Sequence, residues 1–189
     1  LNHIDMDYAK EKGIQIFNAP GLNANAVAEL TISKMLDISR GTMTANTDVK
    51  VKHEWDKYKF VGRELRGKTL GVMGFGRIGR RVGELGRAFG MTVVAYDPFL
   101  KAEDFEKEHA TGMSIDELLK AADFVSIHVP LTPETKDLFN AKSIAEMKDD
   151  AVVLNMSRGG IVNEKDMYEA LKAGKIGGYA TDVMENELA

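Results

Sequence analysis

The sequence predicts an α/β fold in which a doubly wound parallel sheet carries helices on both faces. Short apolar runs alternate with amphipathic stretches along most of the chain, and a glycine-rich turn joins one of these runs to the helix after it. Runs separated by helices pair in parallel, because each helix carries the chain back across the sheet. The runs that we predict as strands are 14–17, 70–73, 91–96, 124–129, 151–155 and 178–183.

The glycine-rich turn has the G-x-G-x-x-G spacing of Rossmann-type dinucleotide-binding sheets. The first glycine permits a sharp turn, the second lets the main chain approach a pyrophosphate, and the third lets the next helix lie close to its strand. The free N–H groups of that helix's first turn would face the phosphates. The same spacing also occurs in strand–helix turns that bind nothing. The positions are Gly74, Gly76 and Gly79, with helix amides around Arg77 and Ile78.

The strand after this helix ends at Asp97, close to the roughly 20-residue spacing expected for a carboxylate that binds the adenosine ribose hydroxyls. A carboxylate there would repel the 2′-phosphate of NADP, so the pattern favours NAD as the cofactor. The alternative is that Asp97 only begins a turn before Pro98.

Polar residues also follow the other predicted strands, and ligands of parallel sheets bind outside the carboxyl ends of the strands. A guanidinium at Arg158 can fork onto a substrate carboxylate and polarise the adjacent carbonyl. A carboxylate at Asp182 can hold a nicotinamide carboxamide. The alternative explanation for Arg158 is a structural ion pair, and the alternative for Asp182 is a turn. The position of Glu187 alone indicates only surface charge.

Composition excludes several classes of function. The 189 residues are 44% hydrophobic and 29% charged, with a net charge of −4, which gives no sign of a nucleic-acid or anionic-membrane partner. No cysteine is present, which removes disulfides, thiolate nucleophiles and zinc–thiolate sites, and we predict no metal site. No apolar run approaches a membrane span, so we expect a cytoplasmic protein. The first and last residues look cut from regular elements, so we expect a fold truncated at both ends.

A long helical stretch precedes the glycine-rich turn, from Asn25 to about Val51, with Gly41 as a point where it can break. Its length suits packing against a second subunit. The aromatic and basic stretch 53–60 after it has no clear period, and it fits either a surface loop or a dimer contact. We therefore predict a homodimer formed through the 25–51 helix.

Several motifs resemble, in order along nearly the whole chain, those of the NAD-dependent D-2-hydroxyacid dehydrogenases, nearest in character to the phosphoglycerate dehydrogenases. The resemblance implies that residues 1–22 are the tail of a substrate domain, with a helix and a strand, and that residues 23–189 form the dinucleotide-binding domain. The motifs are Asn23-Ala-Asn-Ala-Val-Ala-Glu29, Gly74-Phe-Gly-Arg-Ile-Gly79, His128-Val-Pro-Leu-Thr-Pro-Glu-Thr135, Asn155-Met-Ser-Arg-Gly-Gly-Ile-Val162 and Thr181-Asp-Val-Met-Glu-Asn-Glu187.

The resemblance also implies a reaction: hydride passes between NAD and a small D-2-hydroxy or 2-keto acid, while a histidine handles the hydroxyl proton. Arg158 then corresponds to the substrate-binding arginine, and Glu187 to the glutamate that pairs with the histidine and raises its pKa. Arg77, Ile78 and Asp97 hold the cofactor. The resemblance implies that the cofactor crevice is lined by His128, Val129, Pro130, Thr135, Ser157 and Asp182.

The chain departs from the family at its end. Leu188-Ala189 stands where the family has a proline after the glutamate, and the family's catalytic histidine lies beyond Ala189. We therefore expect this chain to bind NAD(H) and to be inactive alone. Two other functions fit the same motifs: an NAD(H)-sensing, corepressor-like binding protein, and a Rossmann-type protein for another adenosine ligand.

Overall fold

The computed structural model describes residues 4–187, and these contain a six-stranded parallel sheet in the order β3-β2-β1-β4-β5-β6. The order reverses between β1 and β4, and this is the point at which doubly wound sheets open a ligand crevice. The Rossmann-type fold predicted from the sequence is confirmed. The strands are β1 Thr69–Met73, β2 Thr92–Tyr96, β3 Thr111–Gly112, β4 Phe124–Ile127, β5 Ala151–Asn155 and β6 Ile176–Thr181.

Helices cover both faces of the sheet. One core contains Ile32, Val82 and Phe105 from three helices, and the other contains Leu118 and Met167 from helices on the opposite face. The central strands are buried on both sides, which explains their continuous apolar runs. The helices are α1 Met6–Glu11, α2 Ala24–Arg40, α3 Thr42–Thr47, α4 Arg77–Ala88, α5 Ala102–Lys107, α6 Ile115–Ala121, α7 Ala141–Glu146 and α8 Glu164–Lys172.

Two strand predictions were wrong. The alternating stretch 14–17 was expected to be the strand of the 1–22 tail, but it is irregular in the structure, because no neighbouring strand within residues 4–187 pairs with it. The last strand begins at Ile176, two residues earlier than expected, and Ile176 pairs with Ala151. Gly177 and Gly178 hid its start, because glycine is depleted in strands.

The long helix predicted from 25 to 51 is divided in the structure. Gly41 has a φ of 61°, a left-handed conformation that ends α2, and α3 is followed by a π-helical turn, Asp48–Lys52. We call residues 43–61 the arm. The buried carboxylate of Asp48 pairs with Lys52 at 2.7 Å and with Lys59 at 2.5 Å, so it ties the π-helical turn to the rest of the arm.

The described helices include none with the length and apolar character that crossing a bilayer requires. Within residues 4–187, no group of three acidic, histidine or cysteine side chains is placed to hold a metal ion.

Candidate cofactor and substrate site

The glycine-rich turn follows β1 directly, and its three glycines have three different environments. Gly74 has a φ of 88°, and a Cβ there would lie 2.8 Å from the carbonyl carbon of His128. A Cβ on Gly79 would overlap the carbonyl oxygen of Gly74, so the start of α4 lies against the turn itself. A Cβ on Gly76 would meet nothing within 4 Å. The first and third glycines are therefore needed for packing, whereas the second leaves open space.

The amino end of α4 faces that open space. Gly76 is the residue that precedes the helix, and no side chain caps the helix there. Arg80 N–H donates to Gly76 O at 2.9 Å, which leaves the N–H groups of Arg77 and Ile78 at the helix end, where they attract an anion. A cavity of about 270 Å³ lies here, and Gly21 and Asn23 contribute to its wall. Gly21, near the end of the tail, and Asn23, just after it, were not among the predicted site residues.

Asp97 lies just after β2, and its carboxylate joins two segments. Its Oδ2 accepts from Phe75 N–H at 3.0 Å, within the glycine-rich turn, and its Oδ1 accepts from Phe99 N–H at 3.0 Å. The second bond is the turn that was the alternative explanation for this residue. The half-buried carboxylate also lines a cavity of about 620 Å³, so it forms a turn and faces the crevice as well.

The walls of that larger cavity are mainly apolar. Phe99, whose side chain is 92% exposed, stands at one side, and Ile115 and Leu138 stand among the other walls. Such a surface suits a flat aromatic base. None of these three was predicted; the only sequence signal was an apolar residue shortly after the end of β2. Val129, Pro130 and Thr135, which were predicted, line the same cavity.

His128 lies between the two cavities and lines both. Its Nε2 is 2.7 Å from the hydroxyl of Ser126, and its Nδ1 is buried with no hydrogen-bond partner among the described residues. Burial lowers the pKa of His128 to about 4, so the ring is neutral at pH 7.

The hydroxyl of Thr135 is used within its own loop. It donates to Pro130 O at 2.6 Å and accepts from Thr132 N–H at 2.8 Å. It therefore fixes the loop that forms one wall of the crevice.

Arg158 and Glu187, predicted as the two substrate-side residues, line one cavity of about 560 Å³. The guanidinium of Arg158 is exposed and forms no ion pair with any residue from 4 to 187, so the structural ion pair proposed as its alternative is not found there. A carboxylate oxygen of Glu187 accepts from Met184 N–H at 3.1 Å. Lys136 lines the same cavity and was missed, because it lies in a loop with no motif around it.

The two remaining predicted residues lie next to these walls. Ser157 is half-buried, and its hydroxyl donates to Asn155 Oδ1 at 2.8 Å. Asp182 is exposed and immediately follows β6. Their roles toward a cofactor stay predictions.

Comparison with known proteins gives a consistent result. Residues 32–189 match the family model described as D-isomer specific 2-hydroxyacid dehydrogenase, NAD binding domain. The chain is 46% identical over 188 residues to the D-3-phosphoglycerate dehydrogenase of Methanocaldococcus jannaschii, and 43% identical over 187 residues to the hydroxypyruvate reductase of Thermotoga maritima. The solved D-lactate dehydrogenase of Aquifex aeolicus, in complex with NAD and lactic acid, is similar with a TM-score of 0.86 and 40% identity.

Each match covers 99% of this chain but only part of the relative. The shares of the relatives are 36% for the phosphoglycerate dehydrogenase, 60% for the hydroxypyruvate reductase and 56% for the lactate dehydrogenase. The chain thus spans between a third and three fifths of the length of these proteins.

Proposed function

The chain belongs to the D-isomer specific 2-hydroxyacid dehydrogenase family, as its NAD-binding domain, and on that premise we propose that it supplies the cofactor site of an oxidoreductase acting on a small D-2-hydroxy acid. NAD, when bound, accepts hydride from the hydroxyl-bearing carbon of such a substrate and in the reverse direction donates it. The residues of this chain bind and orient the two reactants.

The observation that carries the proposal is the fit of a dinucleotide to the crevice. Gly76 leaves space before an uncapped helix end, which suits the pyrophosphate. Asp97 would accept from the adenosine ribose hydroxyls with the lone pairs that its two amide contacts leave free. Beyond it, Phe99, Ile115 and Leu138 offer apolar walls to the adenine. Of the other predicted cofactor contacts, His128, Val129, Pro130 and Thr135 line the same crevice, whereas Ser157 and Asp182 belong to the nicotinamide side in the proposal.

At the substrate side, Arg158 would bind the carboxylate of the acid through paired N–H donors. Glu187 would pair with the histidine that exchanges the hydroxyl proton, and it would raise the pKa of that histidine. Arg158 and Glu187 line the same cavity, which supports these two roles at one substrate site. Lys136 adds a second positive charge to that cavity, and the carboxylates of Asp137, Glu185 and Glu187 line it as well. The charge of the cavity therefore does not distinguish a phosphoglycerate-like acid from a lactate-like acid, and the proposal includes both.

The catalytic histidine has no candidate among the described residues. His53 and His109 are exposed and lie outside the cavity of Arg158, and His128 is engaged with Ser126 in the cofactor crevice. We therefore infer that the 189-residue chain binds NAD(H) but does not turn over D-2-hydroxy acids unless further residues complete the site.

The proposal extends to the domain organisation, the partner and the location of the protein. The proposed division is a tail, residues 1–22, which would lead to a substrate domain, and a dinucleotide-binding domain, residues 23–189. The homodimer would form through the 25–51 segment, with the aromatic stretch 53–60 as a further contact, and the exposed apolar side chains of residues 43–58 support it. A cytoplasmic location is consistent with the absence of cysteine.

The experiment is a comparison of binding with turnover. NADH should protect the purified chain in a thermal-shift assay, whereas mixing it with NAD and D-3-phosphoglycerate or D-lactate should give no NADH absorbance. Sustained turnover would overturn the inference about the histidine. Protection by ATP or adenosine but none by NADH would instead favour a protein for another adenosine ligand, and NADH-dependent binding of a protein partner would favour a sensor.

A further inference from the structure

The turn after β5 and the loop after β6 are joined by a polar bridge of the buried Asn155 and the half-buried Thr181. We propose that Asn155 and Thr181 are positioning residues that hold Arg158 and Glu187 at one cavity. The inference rests on the proposed function, because it concerns how the two substrate-side residues of that function are set relative to each other. Neither Asn155 nor Thr181 lines the cavity of Arg158 and Glu187.

Asn155 is the last residue of β5, and it is only 1% exposed. Its Nδ2 donates to Arg158 O at 2.9 Å. Its Oδ1 accepts from Ser157 N–H at 3.2 Å and from the Ser157 hydroxyl at 2.8 Å. A buried amide whose hydrogen bonds are made by Ser157 and Arg158, two and three residues later, fixes the backbone that carries the Arg158 side chain.

Thr181 is the last residue of β6, and it lies opposite Asn155 in the parallel register. Its hydroxyl is 3.0 Å from Asn155 O and accepts from Val183 N–H at 3.1 Å. The carbonyl of Val183 is a second acceptor, so the single hydroxyl hydrogen serves one carbonyl at a time. This hydroxyl connects the end of β5 to the first residues of the loop that carries Glu187.

Tyr179 lies two residues before Thr181 in β6, next to the bridge. Burial raises the pKa of the Tyr179 phenol, and the nearby carboxylates of Glu164 and Glu185 act in the same direction. Hydrogen bonds with Thr181 and Asn155 oppose them without reversing the shift. The phenol is therefore neutral at pH 7.

The loop after β6 is also attached farther along. Gly159 lies against the carbonyl of Met184 so closely that a Cβ would overlap it. Glu185 N–H donates to Glu164 Oε1 at 2.7 Å, and Glu164 N–H, at the start of α8, donates to Glu185 Oε1 at 3.4 Å. These contacts place the loop over the Arg158 turn, and the bridge of Asn155 and Thr181 sets its starting point.

The bridge residues do not occupy the charged ends of the two side chains. The Arg158 guanidinium donates to Ser157 O at 2.7 Å, the Glu187 carboxylate accepts from Met184 N–H at 3.1 Å, and both groups line the cavity. The guanidinium of Arg158 is exposed at the cavity, whereas the groups that orient its backbone are buried beneath it. Displacement of a substrate-positioning group by about 1 Å can cost on the order of 100-fold in rate. A bridge that fixes two such groups therefore acts on turnover more than on cofactor binding.

The test uses Thr181→Val, which removes the hydroxyl with little change of volume, and Thr181→Ser, which keeps it. Amide hydrogen exchange of the 189-residue chain is measured by mass spectrometry over peptides 156–160 and 183–187. T181V should speed exchange in both peptides by about 10-fold, because the hydroxyl links the two segments. T181S should stay within about 2-fold of wild type in both, and NADH affinity should be unchanged in each.

Faster exchange in 183–187 alone, with 156–160 unchanged, would overturn the bridge. If T181V does not fold, Asn155→Asp replaces it, because this change keeps an acceptor for Ser157 and removes the donor to Arg158 O. N155D should then speed exchange in 156–160, and an unchanged rate there would overturn the proposal. If the wild-type chain binds no NADH, the proposed function fails, while the exchange data still decide the bridge.

The rate test uses the two Thr181 variants in the full-length dehydrogenase. T181V should lower kcat/KM for the 2-keto acid by about 10-fold while KM for NADH stays unchanged, and T181S should restore the rate. Equal losses in T181V and T181S, or a loss confined to KM for NADH, would show that the hydroxyl does not position the substrate side.

Discussion

The glycine-rich turn and the arm are the two most different regions of the molecule. In the turn, buried contacts decide nearly every backbone position, and Gly74 and Gly79 have no room for a side chain. In the arm, large apolar side chains lie in solvent: Trp55 is 82% exposed and Tyr58 is 75% exposed. The contacts of the turn are made within this chain, whereas the arm leaves large apolar side chains exposed, which is the surface that the proposed dimer would cover.

The two regions differ in whether contacts within this chain account for their structure. The contacts of the turn are made by residues of nearby strands in this chain. The turn that would bind the cofactor is therefore formed without a partner. The arm instead owes its local shape to one buried carboxylate, Asp48, and two lysines, while its apolar surface is unused. Each prediction below changes one side of this contrast.

The largest effects are expected at the glycines. Gly79→Ala places a methyl group on the carbonyl of Gly74, so it should lower the free energy of unfolding by about 1–3 kcal/mol and abolish NADH binding. Gly76→Ala is the matched variant: its methyl group meets no protein atom, so stability should hold while NADH affinity falls by about 100-fold. Chemical denaturation and NADH fluorescence titration measure the two quantities. Equal stability losses in the two variants would contradict the assignment of separate roles.

The arm should respond through association rather than folding. Trp55→Ala combined with Tyr58→Ala removes two exposed rings and should weaken a dimer by at least about 10-fold, with the free energy of unfolding of the monomer nearly unchanged. Sedimentation velocity over a concentration series measures this. Tyr168→Ala is the control, because Tyr168 is 60% exposed on α8, away from the arm. A wild-type chain that stays monomeric at every concentration would show that the arm is not a dimer contact of this chain.

Two substitutions of Asp97 separate the effect of its charge on nucleotide binding from the effect of its hydrogen bonds. Asp97→Asn keeps one oxygen acceptor and removes the charge, so NADPH binding should improve relative to NADH by about 10-fold. Asp97→Ala also removes the acceptor for Phe75 N–H, so NADH affinity should fall further, by about another 10-fold. Parallel titrations with NADH and NADPH decide between them. An unchanged preference in D97N would contradict the ribose contact.

The smallest effect is a pH dependence from His128. Its pKa in the folded chain, about 4, lies below the ordinary value of 6.5, so the unfolded chain binds the proton first as pH falls. Stability should therefore decrease by about 1 kcal/mol between about pH 7 and pH 5.5, and the loss should end near pH 4. His128→Gln should remove this component in denaturation curves taken at each pH. A Gln variant with the same pH slope as wild type would show that another group is responsible.

Sequence reasoning succeeded where local rules decide the structure. The glycine spacing and the apolar runs predicted the parallel sheet and the turn that follows β1. It failed where tertiary context decides: the stretch 14–17 alternates like a strand but has no described neighbour, and the paired glycines 177–178 hid the start of β6.

The same division holds within the site. Arg158 and Glu187 were identified by motif and line one cavity, but the walls formed by Phe99, Ile115 and Leu138 have no local signature. Apolar residues look alike in sequence whether they face a core or a crevice. Only the packed fold separates the two.

The most direct measurement is an isothermal calorimetric titration of the 189-residue chain with NADH, with the Gly76→Ala variant titrated in parallel. The account predicts saturable binding of one NADH per chain in the wild type, and a loss of that heat in a variant that is as stable as the wild type. No heat with folded wild-type protein, or equal heat in both proteins, would contradict it.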